Sequence, residues 1–388
     1  MHYGVLVMET KLVKLGKVAK YIKNRVDINC SNSGEYVSTE NLQSNKFGVS
    51  FPSSSYPASG KVGTYQTGDI LISNIRPYFK KIWQANKSGT YSPDVLNIRA
   101  TSATLTQDFL AVVLSDDRFF NFMVATSKGT KMPRGDKQAI MQYEFILPKL
   151  TVQQRVVHII KTIDVKIELN QQINKNLLKL SSNIVMAASL KSERITDLQT
   201  LLDSSRKANI SIDEVSLDTY VSNTSLRANK RGLDTAEDYP SVKTVRAVEP
   251  GDVLVGNIRP YFKKIWFADR KGGASNDVIT FRADNTTVTP EFLFGILYSD
   301  RFFDYVTATS KGTKMPRGDK QAIALYQVGL PDKDVITSVS DVVNPMLEQV
   351  SLNEKQNQQL TKLRNLLLPK LLAGDIDLSN IETVMNNA

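Results

Sequence analysis

The sequence predicts an α+β protein made by duplication, two globular domains separated by two long antiparallel coiled-coil helices with pseudo-two-fold symmetry. Three observations predict it. The string "ATSKGTKMPRGDKQAI" at residues 125–140 recurs without change at 308–323. Each repeated block mixes strand-like and helix-like patterns. Each block also ends in a long apolar series spaced alternately by three and four, the pattern of a helix that pairs along a seam.

The repeat extends well beyond that string. "GDILISNIRPYFKKIW" at 68–83 matches "GDVLVGNIRPYFKKIW" at 251–266 at 13 of 16 positions, again 183 residues apart. Residues 117–140 match 300–323 at 20 of 24 positions. The offset shifts by one only where "YVSTENLQSNK" at 36 faces "YVSNTSLRANK" at 220. A solenoid unit has a period of roughly 20–50 residues, so this longer period is a duplicated domain with its connector. The expected organisation is a first domain over 1–150, a long helix over 151–191, a second domain over 192–333, a second long helix over 334–376 and a tail over 377–388.

Within each block, "DILISNI" and "YFKKIW" carry β-branched and aromatic residues bounded by Gly, Asn and Pro, which predicts short strands. "TQDFLAVVLSDDRFFNFMVAT" and "TPEFLFGILYSDRFFDYVTAT" space apolar residues helically behind an early acidic residue. The closing helices are expected to pair through Ile159, Ile163, Asn170, Ile173, Leu177 and Leu180 on one and Val342, Met346, Asn353, Leu360, Leu363 and Leu367 on the other. Asn170 and Asn353 occupy equivalent seam positions, where a polar residue fixes register. The alternative is two amphipathic helices, each packed on its own domain. Pro345 lacks a helix donor, so the second helix is expected to kink or start near it. A helix of about 35 residues spans roughly 50 Å and would hold the globules apart.

Composition narrows the function. A balance of 49 Lys+Arg against 39 Asp+Glu gives +10 and favours a polyanionic partner. One cysteine, Cys30, excludes an internal disulfide framework and a multi-thiolate metal site. The chain carries neither an apolar run of about 18 residues nor the ordering of a signal peptide, so a cytoplasmic protein without membrane attachment is expected.

The repeated strings supply the candidate site. Lys128, Thr130, Lys131, Arg134 and Lys137 stand among Gly129, Pro133 and Gly135, and their twins are Lys311, Thr313, Lys314, Arg317 and Lys320. Glycines let backbone approach a phosphate while cations neutralise it. The bland alternative is a solvated turn in which Arg134 pairs with Asp136. Arg76, Lys80 and Lys81 are interleaved with Tyr78, Phe79 and Trp83, and Arg259, Lys263 and Lys264 with Tyr261, Phe262 and Trp266. Strand neighbours face opposite sides, so Lys80 and Lys81 cannot both point into the core. The aromatics are expected in the core, with the cations touching the ligand.

Catalysis fails on inventory. "GTKMPRGDK" has one residue too many between its glycines for a phosphate-binding loop, and Asp136 stands where the lysine belongs. The only histidines are His2 and His158, too few for a catalytic triad in each repeat. Pro93-Asp94 becomes Asn276-Asp277 with no acid-x-Lys pair following, so Asp94 is expected as a turn or cap residue. The expectation is a binding protein with no catalytic residue, cofactor or metal.

The order globule, "LPKLTVQQRVVHIIKTIDVKIELNQQINKNLLKL", globule, and a second long helix ending "LTKLRNLLLPKLLAGDI" resembles the DNA-specificity subunit of type I restriction and modification enzymes. The resemblance covers nearly the whole chain. Its marks are the Leu-Pro entry to a helix with Gln153-Gln154 soon after, the repetition of that block, and "KLLAGDI" at 370–376. The second helix departs from the pattern at "LPDKDVITSV", which lacks the acidic-Gln pair. The resemblance implies two target-recognition domains, each reading half of a split site in double-stranded DNA, with the paired helices as a ruler. It also implies two type I DNA methyltransferase (M) subunits as partners, and restriction (R) subunits beyond them, which carry the chemistry. Near-copies meeting the duplex in inverted orientation imply similar half-sites. The alternative is a standalone pseudo-dimeric DNA-binding regulator.

Overall fold

The computed structural model describes residues 11–53, 55–203 and 209–376; the expected tail lies outside the described residues. The chain divides into two compact units, Met1–Val165 with Leu360–Ala388, and Lys166–Gln359.

In the first unit, strands Ala19–Tyr21, Val95–Ala100, Ile70–Ser73 and Ile82–Gln84 lie side by side in that order, all antiparallel. A second sheet orders Arg25–Asp27, Lys61–Tyr65, Gly89–Tyr91 and Tyr36–Val37, the last pair parallel. Lys11–Lys14 pairs with Glu144–Leu147 beside the entry to the long helix. The second unit repeats this with Ile265–Phe267, Val253–Gly256 and Val278–Phe281 in one sheet and Asn209–Ser211, Thr244–Val248, Gly272–Ala274 and Tyr220–Val221 in the other. The outermost strand of the first sheet is reduced in the second unit to a single bridge, Leu202 to Ala283.

The repeated Gly-Asp opening has a structural cause. Asp69 is fully buried and accepts from Arg99 at 2.6 and 2.8 Å and from Asn97 at 2.9 Å. Asp252 does the same with Arg282, at 2.7 Å to each oxygen. A carboxylate this deep is tolerated only when paired and hydrogen-bonded. The central strand beside each pair is wholly buried, because helices cover its far face. Helices Gln107–Ser115 and Asp117–Ala125 begin at Thr106 and Asp116, and Pro290–Leu297 and Asp300–Ala308 at Thr289 and Ser299, each capping side chain accepting a backbone N–H of the first turn. They bury Phe109, Phe119 and Phe120 in one unit and Phe292, Phe302 and Phe303 in the other.

The long helices run Leu150–Leu190 and Lys333–Ala373, 41 residues each, about 60 Å at 1.5 Å per residue. The second runs on through Pro345, so it does not start there as one of the two expectations had it. Pro345 and Asp341, whose carbonyl loses its donor, are both exposed, which leaves the freed group open to solvent. Gln153 explains one family mark. It is fully buried, donating to the carbonyls of Thr104 and Pro148 and accepting from the N–H of Thr106, so it ties the helix to the domain before it. In the second copy Ile336 fills that place, and a Thr289–Ser340 hydroxyl contact of 2.6 Å makes the tie instead.

In the second unit, Asn170 donates to Gln356 at 2.7 Å and to Asn357 at 3.0 Å, and Asn353 donates to Asn174 at 2.7 Å. Ser181 meets Met346 further along, so numbers rise on one helix as they fall on the other and the pairing is antiparallel. The Asn170–Asn357 and Asn174–Asn353 contacts exchange when each residue is moved by the repeat. Asn170 and Asn353 therefore lie in the seam but bond to other asparagines, not to each other. In the first unit Arg364 binds Asp164 at 2.7 Å.

The apolar seam is displaced from its expected line. Ile159, Ile163, Asn170 and Asn353 are buried and Leu177, Met346, Leu360 and Leu367 half-buried, but Ile173, Leu180, Val342 and Leu363 are exposed. The buried line instead takes in Ile160, Ile167, Asn174, Ser181 and Val185 on the first helix, and Val343, Leu347 and Val350 on the second. An α-helix drifts about 20° per heptad from a strict seven-residue repeat, so a heptad counted along a long straight helix leaves the buried face. Packing on the globule adds to this: the Ser182 hydroxyl donates to the Gly295 carbonyl at 2.8 Å, and Val185 fills the space that a side chain at 295 would need.

Candidate nucleic-acid interface

Both repeated strings converge on one place in each unit. The 3-10 turn Pro77–Phe79 is bracketed by Arg76 and Lys80, both left-handed at φ 50°; Pro260–Phe262 is bracketed by Arg259 at 52° and Lys263 at 49°. Non-glycine residues seldom take this conformation, and two in five residues turn the chain sharply. The turn puts the aromatic pair outside. Tyr78 is 48% and Phe79 39% exposed, with ring centroids 4.7 Å apart; Tyr261 and Phe262 repeat this at 47% and 37%, 4.8 Å apart. This corrects the expectation that these aromatics belong to the core, which Trp266 alone fully meets.

The adjacent lysines separate. Lys81, expected to touch a ligand, turns inward and donates to the Thr39 carbonyl at 2.6 Å, and burial pushes its ammonium pKa down. Lys264 does the same to the Asn223 carbonyl. Both are tethers for the turn that begins at those carbonyls. Lys80 lies 3.1 Å from Asp117, which also takes Lys46 at 2.7 Å. Lys263 and Lys230 reach Asp300 at 2.8 and 2.9 Å, and their hydrogen bonds push that carboxyl down to about 2. The backbone N–H of Lys46 donates to the Lys80 carbonyl, and that of Lys230 to the Lys263 carbonyl, which joins turns 39–47 and 223–231 to the aromatic turn.

The basic loop is a closed lariat. Lys128 and Arg134 exchange backbone hydrogen bonds of 2.9 Å, and Gly129 supplies the positive φ of 93° that the reversal requires. Arg76 N–H donates to the Pro133 carbonyl at 2.8 Å and Gly135 N–H to the Asn74 carbonyl at 3.1 Å, which fastens the loop to the aromatic turn. Gly135 is required by packing rather than by phosphate approach: a Cβ there would sit 2.9 Å from Asn74 Oδ1 and 3.0 Å from Ile140 Cδ1. Lys128, Thr130, Lys131, Arg134 and Lys137 are exposed, as are Lys311, Thr313, Lys314, Arg317 and Lys320. Arg76 and Arg259 are half-buried at the root of the loop.

Arg134 does not pair with Asp136. It reaches Asp94 at 3.1 Å, while Lys128 meets Asp136 at 2.5 Å; Arg317–Asp277 at 3.2 Å and Lys311–Asp319 at 2.5 Å repeat the arrangement. Such exposed pairs add little stability and act by orienting the cations. Asp94 and Asp277 were legible only as the one acid kept where "SPD" becomes "SND". The exposed Met132 and Met315 at the loop tips carried no sequence signal of their own. The assembly offers cations for phosphates beside an aromatic pair that can stack on bases or wedge between them.

The repeated α+β module sets exposed cations beside an exposed aromatic pair, and each copy leads into a long helix. Residues 8–179, a little under half of the chain, match the type I restriction modification DNA specificity domain. The constant offset of 183 carries the same motifs into the second half. Over 140 residues the chain is 25% identical to the type I restriction enzyme HindI specificity subunit of Haemophilus influenzae, a match over 35% of this chain and 30% of that protein's length. The fold is that of the type I restriction-modification system S subunit from M. genitalium, with TM-score 0.52 at 11% identity over 95% of this chain and 97% of that one. The HsdS subunit from Thermoanaerobacter tengcongensis aligns over 97% of this chain and 100% of that one, at 16% identity and TM-score 0.40. No helix among the described residues is long and apolar enough to cross a membrane.

Proposed function

We propose that the chain is the sequence-reading, non-catalytic subunit of a type I restriction-modification assembly in the cytoplasm. Its domains over 1–150 and 192–333 each read one half of a split site in double-stranded DNA, and the helices over 151–191 and 334–376 set the spacing. Lys128, Lys131, Arg134 and Lys137, with Lys311, Lys314, Arg317 and Lys320, neutralise phosphates; the Thr130 and Thr313 hydroxyls donate to them. Two methyltransferase subunits dock on the helices, where Leu169 and Leu180 and their repeat equivalents Leu352 and Leu363 offer exposed apolar surface. Restriction subunits join through them.

The observation that carries this reading is the duplicated platform. A lariat of exposed cations is fastened by backbone bonds to an outward aromatic pair, with the same residues and closely similar distances in both copies. The test is to express the chain with its neighbouring methyltransferase and map modified bases by single-molecule sequencing. The expected result is chain-dependent methylation at a split motif whose halves resemble each other in inverted orientation. Tight sequence-specific binding by the chain alone, with no methylation depending on it, would establish the standalone regulator instead.

A further inference from the structure

Each platform holds one arginine whose guanidinium bonds to no other group among the described residues. Arg76 and Arg259 open the aromatic turns, and each stands directly before a proline with a left-handed φ, of 50° and 52°. Sterics push a residue before proline toward extended backbone, so the surroundings impose this geometry. Two backbone bonds pin Arg76: its N–H donates to the Pro133 carbonyl at 2.8 Å, and its carbonyl accepts from Phe79 at 3.0 Å. Arg259 repeats them with Pro316 at 2.7 Å and Phe262 at 2.9 Å. Both side chains are half-buried.

In each, Nε is sealed from solvent without an acceptor, a state that native proteins seldom leave unexplained. The two Nη groups are neither sealed nor bonded, which leaves a planar fork of donors open to solvent on a fixed stem. The neighbouring arginine differs. Ile75 and Arg134 form a bridge, so Arg134 leaves the same patch, but Asp94 holds its guanidinium at 3.1 Å. The twin does likewise: Ile258 bridges Arg317, which Asp277 holds at 3.2 Å.

We infer that Arg76 and Arg259 each read a guanine, donating from both Nη groups to its O6 and N7 in the major groove, so that the two half-sites share this base. The inference rests on the DNA-binding reading and names a base within it. Guanine offers two adjacent acceptors on that edge, whereas adenine replaces one with a donor and neither pyrimidine offers a pair. A phosphate accepts from any direction. The exposed Lys131, Lys137, Lys314 and Lys320, without carboxylate partners among the described residues, meet that need. A base edge instead requires two donors held in one plane, and a guanidinium fixed by backbone and burial loses little freedom in supplying them.

The test uses the full chain with its co-purified methyltransferase, whose methylated motif is mapped first. Binding to motif duplexes is then followed by fluorescence anisotropy across a salt series, with the guanines altered one at a time. Exchange of the shared guanine for adenine should weaken wild-type binding roughly five- to 150-fold, and replacing only its N7 by carbon should weaken it part of the way. R76Q should erase both losses in one half-site and R259Q in the other, with every other position read as before. R76K keeps the charge without the fork and should behave as R76Q does; it carries the same test should R76Q fail to fold. A motif with no guanine common to both half-sites, or a sensitivity to N7 that survives R76Q, would overturn the inference while leaving DNA recognition intact. R76Q weakening all duplexes alike, with a salt slope lower by about one, would overturn it too, making the contact a phosphate. An R76Q variant that binds every duplex as the wild type does would make the arginine a bystander. A chain that binds no motif duplex and directs no methylation would instead sink the functional reading beneath it.

Discussion

The loops 125–137 and 308–320 are the same residues in the same geometry, whereas turns 39–47 and 223–231 share anchors and differ in what they display. Both turns put consecutive Asn and Lys residues in left-handed conformation, both are held from below by a lysine bonding a carbonyl, and both clamp a lysine on a helix-start aspartate. Yet Phe47, exposed in the first, stands where Arg231 stands in the second, and Gln43 where Arg227 stands. Identical scaffolding with different projecting groups teaches that the two copies keep their anchors and vary what the turns present. On the proposed reading, the lariat would grip both half-sites alike and the turn beside it would tell them apart.

The hardest blow to this comparison falls on the shared scaffold. Asp69→Ala strands Arg99 and Asn97, and Asp252→Ala strands Arg282; each should cost about 3 kcal/mol, the scale for breaking a buried ion pair. The chain's two tryptophans, Trp83 and Trp266, fall one to each copy, so urea unfolding by fluorescence should show each variant weakening its own copy. Equal weakening of both signals would deny that the copies fold as separate units.

Exchange of the displayed residues should alter preference rather than stability. Phe47 suits a thymine methyl and Arg231 the acceptor edge of guanine, a difference of about 1–3 kcal/mol per base position. Phe47→Arg should move the first half-site toward guanine and Arg231→Phe the second toward A·T, read from the methylated motif. An unchanged motif would place discrimination elsewhere.

A third difference concerns the helices. Glu354, on the second helix against Gly232, corresponds to Gln171 on the first. Burial pushes its carboxyl up to about 7; Asp269 adds to the rise and Arg227 opposes it. A carboxyl raised above its unfolded value near 4.5 disfavours the folded state once ionised. Its contribution is therefore best below about 4.5 and is lost as pH rises through 7. Glu354→Gln, which copies the first helix, should raise the Trp266 unfolding midpoint at pH 8 and leave it nearly unchanged at pH 4.5. A midpoint equally raised at both would mean that packing, not ionisation, is responsible.

The smallest effect belongs to the shared cations. Arg134→Ala and Arg317→Ala should each weaken binding to every duplex alike and reduce the salt slope by about one. A change confined to one base position would move that arginine from gripping to reading.

Much of this was legible because a duplication aligns itself. The constant offset exposed the domain equivalences, the capped helices and the paired long helices without reference to any other chain. What stayed hidden depends on distance or on backbone sign. Nothing in "KK" tells which lysine turns inward; two left-handed residues decide it, and their φ values are not written in the composition. Asp94, forty residues from Arg134, shows itself as a partner only once strands Val95–Ala100 and Ile70–Ser73 lie side by side. The seam was misplaced for a simpler reason, since counting sevens ignores the true turn of the helix and the globule packed against its side.

The left-handed brackets around Tyr78-Phe79 and Tyr261-Phe262 have a kinetic corollary. Because main-chain geometry already aims both rings at solvent, no loop has to rearrange before they engage, and the loss of rotational freedom was met when the domain folded. Capture by either aromatic turn should therefore proceed in a single phase whose rate scales linearly with DNA concentration and shows no plateau.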